Sequence, residues 1–374
     1  MFYRDSWIEL DLDRLQENIR LLIQRSGKSF FAVIKANGYG AGDCQIARAA
    51  LEAGAQMLAV SSLDEALSLR AQGIDAPILI LGVVDPSFSD LLIRHQLTVP
   101  AVSLSWAQQI VQHPVEGLKV HLKADTGMGR IGSSSAGELK EMADLLETHG
   151  VQIEGIFTHF ACSDAADNRM CDLQMERFAA LLKELNRSFR WIHCDNSDAA
   201  VHYPDSISNA VRCGIAMFGI TSYTTPLQPC LSLYSRLVHV KQVEAGTTIG
   251  YGATYASPQR EWIGTLPIGY ADGWIRRHQG RCCIIDGVEC EFVGRICMDQ
   301  AMIRLPHEMP VGTRVELIGP HMPIERVARE LDTIPYEVMT LLSDRLAKVY
   351  LRQNGVCEIV NPRLDRLMSA NLPR

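Results

Sequence analysis

From about residue 30 the chain alternates short apolar runs with amphipathic stretches. The strand-like runs are FFAVIK (30–35), MLAV (57–60), ILIL (78–81), LTVPAV (97–102), LKVHLK (118–123), IEGIFTH (153–159), RWIHCD (190–195) and AVRC (210–213). Between them lie helical patterns at 46–54, 63–73, 136–150 and 175–186, several closing on Gly or Asn as helix C-termini do. Continuous apolar strands separated by helices predict parallel strands buried on both faces. Eight of them in about 200 residues is the arithmetic of a (β/α)8 barrel, with a doubly wound open sheet as the alternative. After about residue 230 long helices stop and β-rich segments with Gly and Pro turns take over. They are LYSRLVHVKQV, WIGTLPIGYADGW, RCCIIDGVECEFVGRIC, MIRLP and RVELIG, and a helical tail over PYEVMTLLSDRLAKVYL follows. The pattern therefore predicts an α/β protein, an N-terminal barrel over 1–232 followed by a C-terminal, mostly-β domain over 233–374.

Composition narrows the function classes. The 374 residues carry 36 Lys+Arg against 43 Asp+Glu, a formal charge of −7 with neither sign clustered. That gives no footprint for nucleic acid and no polybasic patch for a membrane surface. Eleven cysteines are scattered, with no CxxC pair and no Cys/His cluster at zinc spacing, so no metal site is expected. An odd, scattered set with no signal peptide points to the reducing cytoplasm. No apolar run approaches the ~18 residues of a membrane span, so no membrane contact is expected within this chain. An anchor upstream in a membrane-attached parent protein would not show here.

Barrel enzymes place their chemistry on the loops after the strand C-terminal ends. Here Lys35 ends the first strand and precedes Ala36-Asn37-Gly38-Tyr39-Gly40, and Lys123 ends the fifth, leading to Arg130. His159 ends the sixth, Asp195-Asn196-Ser197 follow the seventh, and Arg212 lies in the eighth with Gly214 beyond. Each alone reads as a solvated cap or a hydrogen-bonded structural residue; together they read as a site. A lysine leaving an apolar strand is partly desolvated, which favours the neutral amine suited to a Schiff base. Gly-rich turns and Ser197 near a helix start offer N–H groups to a phosphate. A Schiff-base lysine beside a phosphate cradle suggests pyridoxal 5′-phosphate, an electron sink.

The segments AVIKANGYGAG, HLKADTGMGRIG, THFACSD, YGATY, GYADG and GRICMDQ resemble, in this order, the alanine racemase family. The resemblance runs from the first strand to about residue 350 and implies the same barrel-plus-β architecture. It implies that Lys35 carries pyridoxal 5′-phosphate and is the D-side base. Tyr251 is then the L-side base, supplied by the partner subunit of a homodimer with shared active sites. Racemisation needs a proton removed from one face of Cα and one delivered to the other. Both side-chain types have an ordinary pKa of about 10, so the site must perturb them. By the same resemblance Arg212 faces the pyridine nitrogen and keeps it unprotonated, because a guanidinium does not readily give up a proton. His159 links Tyr251 to Arg212, and Arg130 reaches the cofactor's phenolic oxygen and the substrate carboxylate. Lys123 matches a lysine that many members carry as a carbamate. Tyr39, Asn196, Ser197, Gly214 and Ile215 bind the cofactor, Met298 offers its N–H to the substrate carboxylate, and Tyr270 is an entrance gate. Cys297 reads as packing; Tyr255 and Asp272 are open between structural and functional roles.

One position departs from the family, which carries a tyrosine where this chain has Asp344. An acid near a phosphate is electrostatically awkward unless it turns away or pairs, for which Arg345 is the neighbour at hand. Losing the ring opens room and adds a polar group beside the substrate side chain. A comparable tyrosine-to-polar change is similar to that in the vancomycin-resistance serine racemases, whose racemase domain follows a membrane domain. The expected substrates are thus alanine and serine, giving D-amino acids for peptidoglycan precursors. The alternatives are a strict alanine racemase, a decarboxylase of the same architecture, or a non-catalytic carrier of the cofactor.

Overall fold

The computed structural model describes residues 3–203 and 206–365. The chain forms two compact units. One comprises Leu15–Gly38 and Asp43–Gln228; the other comprises the described residues up to Arg14, Tyr39–Gly42, and those from Pro229 onward. This differs from the simple division at 232/233, because strand β1 (Ser6–Asp11) belongs to the second unit and not to the barrel.

In the first unit eight strands follow one another, all parallel: β2 (Ser29–Val33), β3 (Met57–Val60), β4 (Ile78–Ile80), β5 (Leu97–Ala101), β6 (Lys119–Lys123), β7 (Gln152–Phe157), β8 (Trp191–His193) and β9 (Ala210–Cys213). β9 pairs with β2, Ser29↔Ala210 through Ala32↔Cys213. The seam between β8 and β9 has no regular ladder. Asn209 N–H donates to Ile192 O and Arg212 N–H donates to Asp195 O there, both at 2.9 Å. The eight predicted strands are thus the eight barrel strands. Phe31, Met57, Leu79 and Ala210 form a core cluster inside the ring, with Trp191 set edge-on to Phe31 at 5.1 Å.

The helices follow their apolar stripes. Ala136–Thr148 buries Leu139, Met142, Ala143 and Leu146, the i, i+3, i+4, i+7 set, and starts on Ser135, whose side chain accepts the Glu138 N–H. The helix predicted over 175–186 starts earlier, spanning Arg169–Leu185. Its stripe begins with buried Cys171 and Gln174, and the polar Gln174 hides the period. Gln174 is buried because its side chain bridges His159 O and Ala161 N, each at 2.8 Å.

The second unit is mostly β. β1 pairs antiparallel with β10 (Leu231–Arg236). After β11 (His239–Val243), β12 (Thr248–Ile249), β13 (Tyr255–Ala256) and β14 (Glu261–Leu266) come β15 (Cys282–Ile285), β16 (Val288–Glu291), β17 (Ala301–Leu305), β18 (Arg314–Ile318), β19 (Ala347–Arg352) and β20 (Gly355–Val360). They form a seven-stranded sheet in the order β16-β15-β18-β10-β1-β19-β20, a three-stranded sheet β11-β14-β17, and the hairpin β12-β13. The predicted helical tail is helical only over Pro335–Leu341. Its second half is β19, buried from Ala347 to Tyr350 and paired with β1 and β20, so tertiary pairing overrides the helical pattern. Among the described residues no helix is long and apolar enough to cross a membrane.

The barrel interior leaves no slack at Gly155 on β7. A Cβ there would stand 2.8 Å from Trp191 O and 2.9 Å from Trp191 Cβ. Gly155→Ala is expected to lower stability by about 1–3 kcal/mol, read as a fall in the urea midpoint at unchanged slope.

Candidate active site

The barrel unit brings Lys35, Lys123, Arg130, His159 and Arg212 into mutual electrostatic reach. Arg212 lies at the centre, buried in β9. Its Nη1 donates to His193 Nδ1 at 2.6 Å and to His193 O at 3.0 Å. Its Nη2 donates to Thr158 O at 2.9 Å, His159 Nδ1 at 3.0 Å and Cys194 O at 3.3 Å. Burial lowers its pKa to about 10, which still leaves it charged at neutral pH. Nε–H takes no part in these five bonds.

Because a guanidinium only donates, it dictates the state of both imidazoles it touches. His159 and His193 each accept at Nδ1, so each neutral ring carries its proton on Nε2. His193 Nε2 in turn lies 2.9 Å from His121 Nδ1 and donates to it. His121 then carries its own proton on Nε2, an atom buried without a partner. Burial, with the Arg212 charge next in size, holds all three histidines well on the neutral side, His121 at about 3.

The two lysines are displaced by similar forces. Lys123, at 3% exposure, is brought down to about 7 by burial and by Arg212, with Arg130 adding and Asp125 opposing. Its Nζ donates to Ala124 O at 2.6 Å. Lys35 is lowered by burial first and then by Arg130, with Glu65 opposing and Arg212 adding. Arg130 itself is exposed, at the end of a loop that Asp125 shapes by accepting the N–H groups of Gly127, Met128 and Gly129.

Lys35 opens a left-handed turn, with φ of 53°, 54° and 59° at Ala36, Asn37 and Gly38. Nearby in the same unit Ser197 meets Gly214 and Ala216, whose N–H groups both donate to Ser197 Oγ, on either side of Ile215. Asn196 caps the helix Ser197–His202, accepting from Ala199 N and from Ser163 Oγ.

The remaining predicted residues lie in the second unit. Tyr39 is buried, its ring 6.2 Å from that of Tyr336. Tyr251 is 71% exposed, on the turn between β12 and β13, where Gly250, Gly252 and Ala253 all have positive φ. Tyr255 OH donates to the buried Glu261 carboxylate at 2.6 Å, which makes Tyr255 an anchor of that hairpin. Tyr270, Met298 and Asp344 sit on three bonded turns. Tyr270 N donates to Cys297 O, Ala271 N to Met298 O, and Ser343 N to Asp272 O, all within 3.0–3.1 Å. Asp272 is structural: fully buried, it accepts two 2.5 Å bonds from Arg4 and a third from Gly269 N.

The partner expected for Asp344 was its neighbour Arg345, and the structure corrects this. Arg345 turns to Asp299 (2.6 Å) and Asp272 (3.6 Å), while Asp344 Oδ1 accepts from the buried Lys348 Nζ at 3.0 Å. Sequence reasoning also missed His193, His121 and Glu65. Two buried histidines carry no pattern, whereas Ser62-x-x-Glu65 is a visible helix-start signature.

Residues 10–222 match the family model described as "Alanine racemase, N-terminal domain", and residues 230–350 match "Alanine racemase, C-terminal domain". The chain belongs to the alanine racemase family. It is 44% identical to the alanine racemase of Anoxybacillus flavithermus over 378 residues, 96% of this chain and 98% of that one. Among solved structures, alanine racemase from Bacillus anthracis with bound L-Ala-P superposes with a TM-score of 0.93 at 38% identity, covering 98% of this chain and 100% of that one. The alanine racemase from E. faecalis gives 0.90 at 42% identity, covering 93% and 98%.

Alanine racemases depend on pyridoxal 5′-phosphate. The barrel residues fit that group. A lysine lowered by burial is ready for Schiff-base formation. A donor-only cation has Nε–H outside its bond set. Ser197, Gly214 and Ile215 lie together, because Ser197 Oγ accepts the N–H groups of Gly214 and Ala216.

The neutral histidines tie alanine racemase architecture to acid sensitivity. The unfolded chain takes up protons near pH 6.5 that the folded barrel refuses, so stability is complete above that pH and is lost as pH falls toward about 3. Each such histidine contributes a slope of up to about 1.4 kcal/mol per pH unit. Urea unfolding at about pH 7 and about pH 5 is expected to show a smaller loss in His121→Gln than in the parent; equal losses would contradict the neutral state of His121.

Proposed function

We propose that this chain interconverts the L and D forms of alanine and of serine by a two-base mechanism, as a homodimer with shared active sites. Racemisation of alanine follows from the family. The extension to serine is supported by one observation, the Asp344 carboxylate at the place of the family's tyrosine, held by Lys348 on the turns that carry Tyr270 and Met298. A side-chain carboxylate accepts a hydrogen bond from a β-hydroxyl, and the missing ring leaves volume for it. The ion pair with Lys348 also answers the cost of an acid near a phosphate.

When bound, pyridoxal 5′-phosphate supplies the electron sink that acidifies the substrate Cα–H. Lys35 takes that proton on the D side, its affinity for a proton lowered by burial and by Arg130. Tyr251, from the second copy, donates its phenolic proton to the opposite face, and the reverse transfer runs from L to D. In this reading His159 is the link between Arg212 and Tyr251, with Arg212 at its Nδ1 and Nε2–H left to donate to the phenolic oxygen. Arg212 would face the pyridine nitrogen of the bound group and, as a cation that only donates, would keep it unprotonated, which favours return of a proton to Cα. Arg130 and the Met298 N–H orient the substrate carboxylate, and Tyr270 gates its entry. Tyr39, Asn196, Ser197, Gly214 and Ile215 hold the cofactor.

Lys123 suits carbamylation. Its amine, at about 7, is neutral often enough to bond to the carbon of CO2; it then loses a proton and becomes an anion facing Arg130. The D-amino acids would enter peptidoglycan precursors. A cytoplasmic setting is supported by eleven free cysteines.

Side-by-side kcat/KM values for L-alanine and L-serine test the substrate reading. They are expected to lie within about tenfold, about 1.4 kcal/mol, and Asp344→Tyr is expected to shift the ratio toward alanine by about tenfold or more. A parent preference for alanine of several hundredfold, or an unchanged ratio in Asp344→Tyr, would remove serine from the proposal. Lys35→Ala and Tyr251→Phe are each expected to abolish racemisation.

A further inference from the structure

The left-handed turn after Lys35 needs something to hold it. Left-handed backbone brings Cβ too close to the carbonyl oxygen in a non-glycine residue, and here Ala36 (φ 53°, ψ 50°) and Asn37 (φ 54°, ψ 49°) both adopt it directly after the lysine. Two local bonds help, Gly38 N to Ile34 O at 2.9 Å and Asp43 N to Asn37 Oδ1 at 3.1 Å. Neither reaches the Lys35–Ala36 peptide itself. That peptide is held by Glu65 of the helix Leu63–Ala71, whose Oε1 accepts the Ala36 N–H at 2.7 Å. The other oxygen, Oε2, accepts the Ser61 N–H at 2.6 Å, just past the end of β3. One carboxylate thus bridges the backbones beyond two adjacent barrel strands. Glu65 is itself fixed by the helix start, where its N–H donates to Ser62 Oγ at 3.3 Å. In the usual capping box the glutamate turns back on its own N-cap residue; here it spends its second oxygen across the barrel mouth.

Nothing else in the mechanism uses this residue. Its charge also opposes the Arg130 and Arg212 charges acting on Lys35. We propose that Glu65 is a positioning residue for Lys35, clamping the strained Lys35–Ala36 peptide to the end of β3 so that the lysine amine is presented to the reacting carbon. This rests on Lys35 being the reacting lysine. Glutamine keeps the volume of Glu65 but can accept only one of the two N–H groups and aims an NH2 at the other.

The test compares Glu65→Gln and Glu65→Ala with the parent and with Asp64→Asn, a neutralisation in the same helix turn. In the PLP-loaded Glu65→Gln protein kcat is expected to fall by up to about a hundredfold, the scale of a displaced catalytic group. The split between directions is the deciding readout. The Cα-deuterium isotope effect should rise with D-alanine, whose proton goes to Lys35, and fall with L-alanine. Independently of turnover, the Kd for PLP, read by visible absorbance, should rise about tenfold, as for loss of one charged hydrogen bond. Asp64→Asn should change neither. Unaltered isotope effects in both directions and a PLP Kd within about twofold of the parent would overturn the proposal, even if thermal stability dropped. Should Glu65→Ala not fold, Glu65→Gln carries the test. Borohydride reduction of the parent with PLP, followed by peptide mass analysis, separates the two levels: label on a lysine other than Lys35 would overturn the underlying reading, whereas label on Lys35 with unaltered isotope effects overturns the role of Glu65 alone.

Discussion

A buried guanidinium with no acceptor lone pair sets the terms for the barrel mouth. Arg212 cannot exchange roles with its neighbours, so each group around it has to accept. Three backbone carbonyls and two imidazole nitrogens do so. That requirement fixes two histidine tautomers directly and a third through His193. Arg212 also sits at the barrel seam, where no regular ladder forms and its N–H to Asp195 O joins the bonds that Asn209 and Ser208 make to Arg190, Ile192 and Cys194. Taking such a cation out of water is costly, and its pKa falls to about 10, yet at neutral pH it keeps its charge. The same charge then presses on Lys35, Lys123, His121, His159 and His193. The mouth holds lowered lysines and neutral imidazoles because they are buried first, and because a permanent charge is lodged among them second.

The barrel was legible because each of its strands is a local event, an apolar run bounded by a helix. Its neighbours in the sheet are its neighbours in sequence, apart from the closure of β9 on β2. β1 and β19 were not legible for the opposite reason. Their mutual pairing, Trp7↔Ala347 through Asp11↔Leu351, spans more than 300 residues, so the helix-like pattern near Ala347 had no visible rival. The site divides along the same line. Lys35, Lys123, His159 and Arg212 stand out as polar groups at apolar strand ends. His193 and His121 matter through what they touch, and no spacing records that; the spacing Ser62-x-x-Glu65 marks a helix start but not the bond to Ala36.

Asp344 shows the limit of sequence proximity in another form. Arg345 is its covalent neighbour and the obvious counterion. The two lie in the turn that Leu346 N–H closes on Ser343 O, however, and Arg345 meets two carboxylates, Asp272 and Asp299, that bind it elsewhere. Lys348, one strand residue into β19 and only 2% exposed at its side chain, has no comparable choice. Burying an ammonium is costly without a carboxylate beside it, so Asp344 and Lys348 stabilise each other's placement.

The Asp344–Lys348 ion pair is separate from the bonds that set the turns around residue 344. Those turns are set by backbone: a Cβ on Gly269 would stand 2.3 Å from Cys297 O, and one on Gly273 would stand 2.1 Å from Leu341 O. Ser343 adds two bonds of its own, N–H to Asp272 O and Oγ to Ala271 O. Beneath them Asp272 is pinned by Arg4. None of these contacts uses the side chain at 344. A tyrosine or a smaller polar group there would sit on the same backbone frame but would leave the buried Lys348 ammonium without its carboxylate. The turn is carried by glycines, a serine and the Arg4–Asp272 pair, so the side chain at 344 acts on its surroundings through Lys348 and the surface it presents, and not through the backbone of the turn.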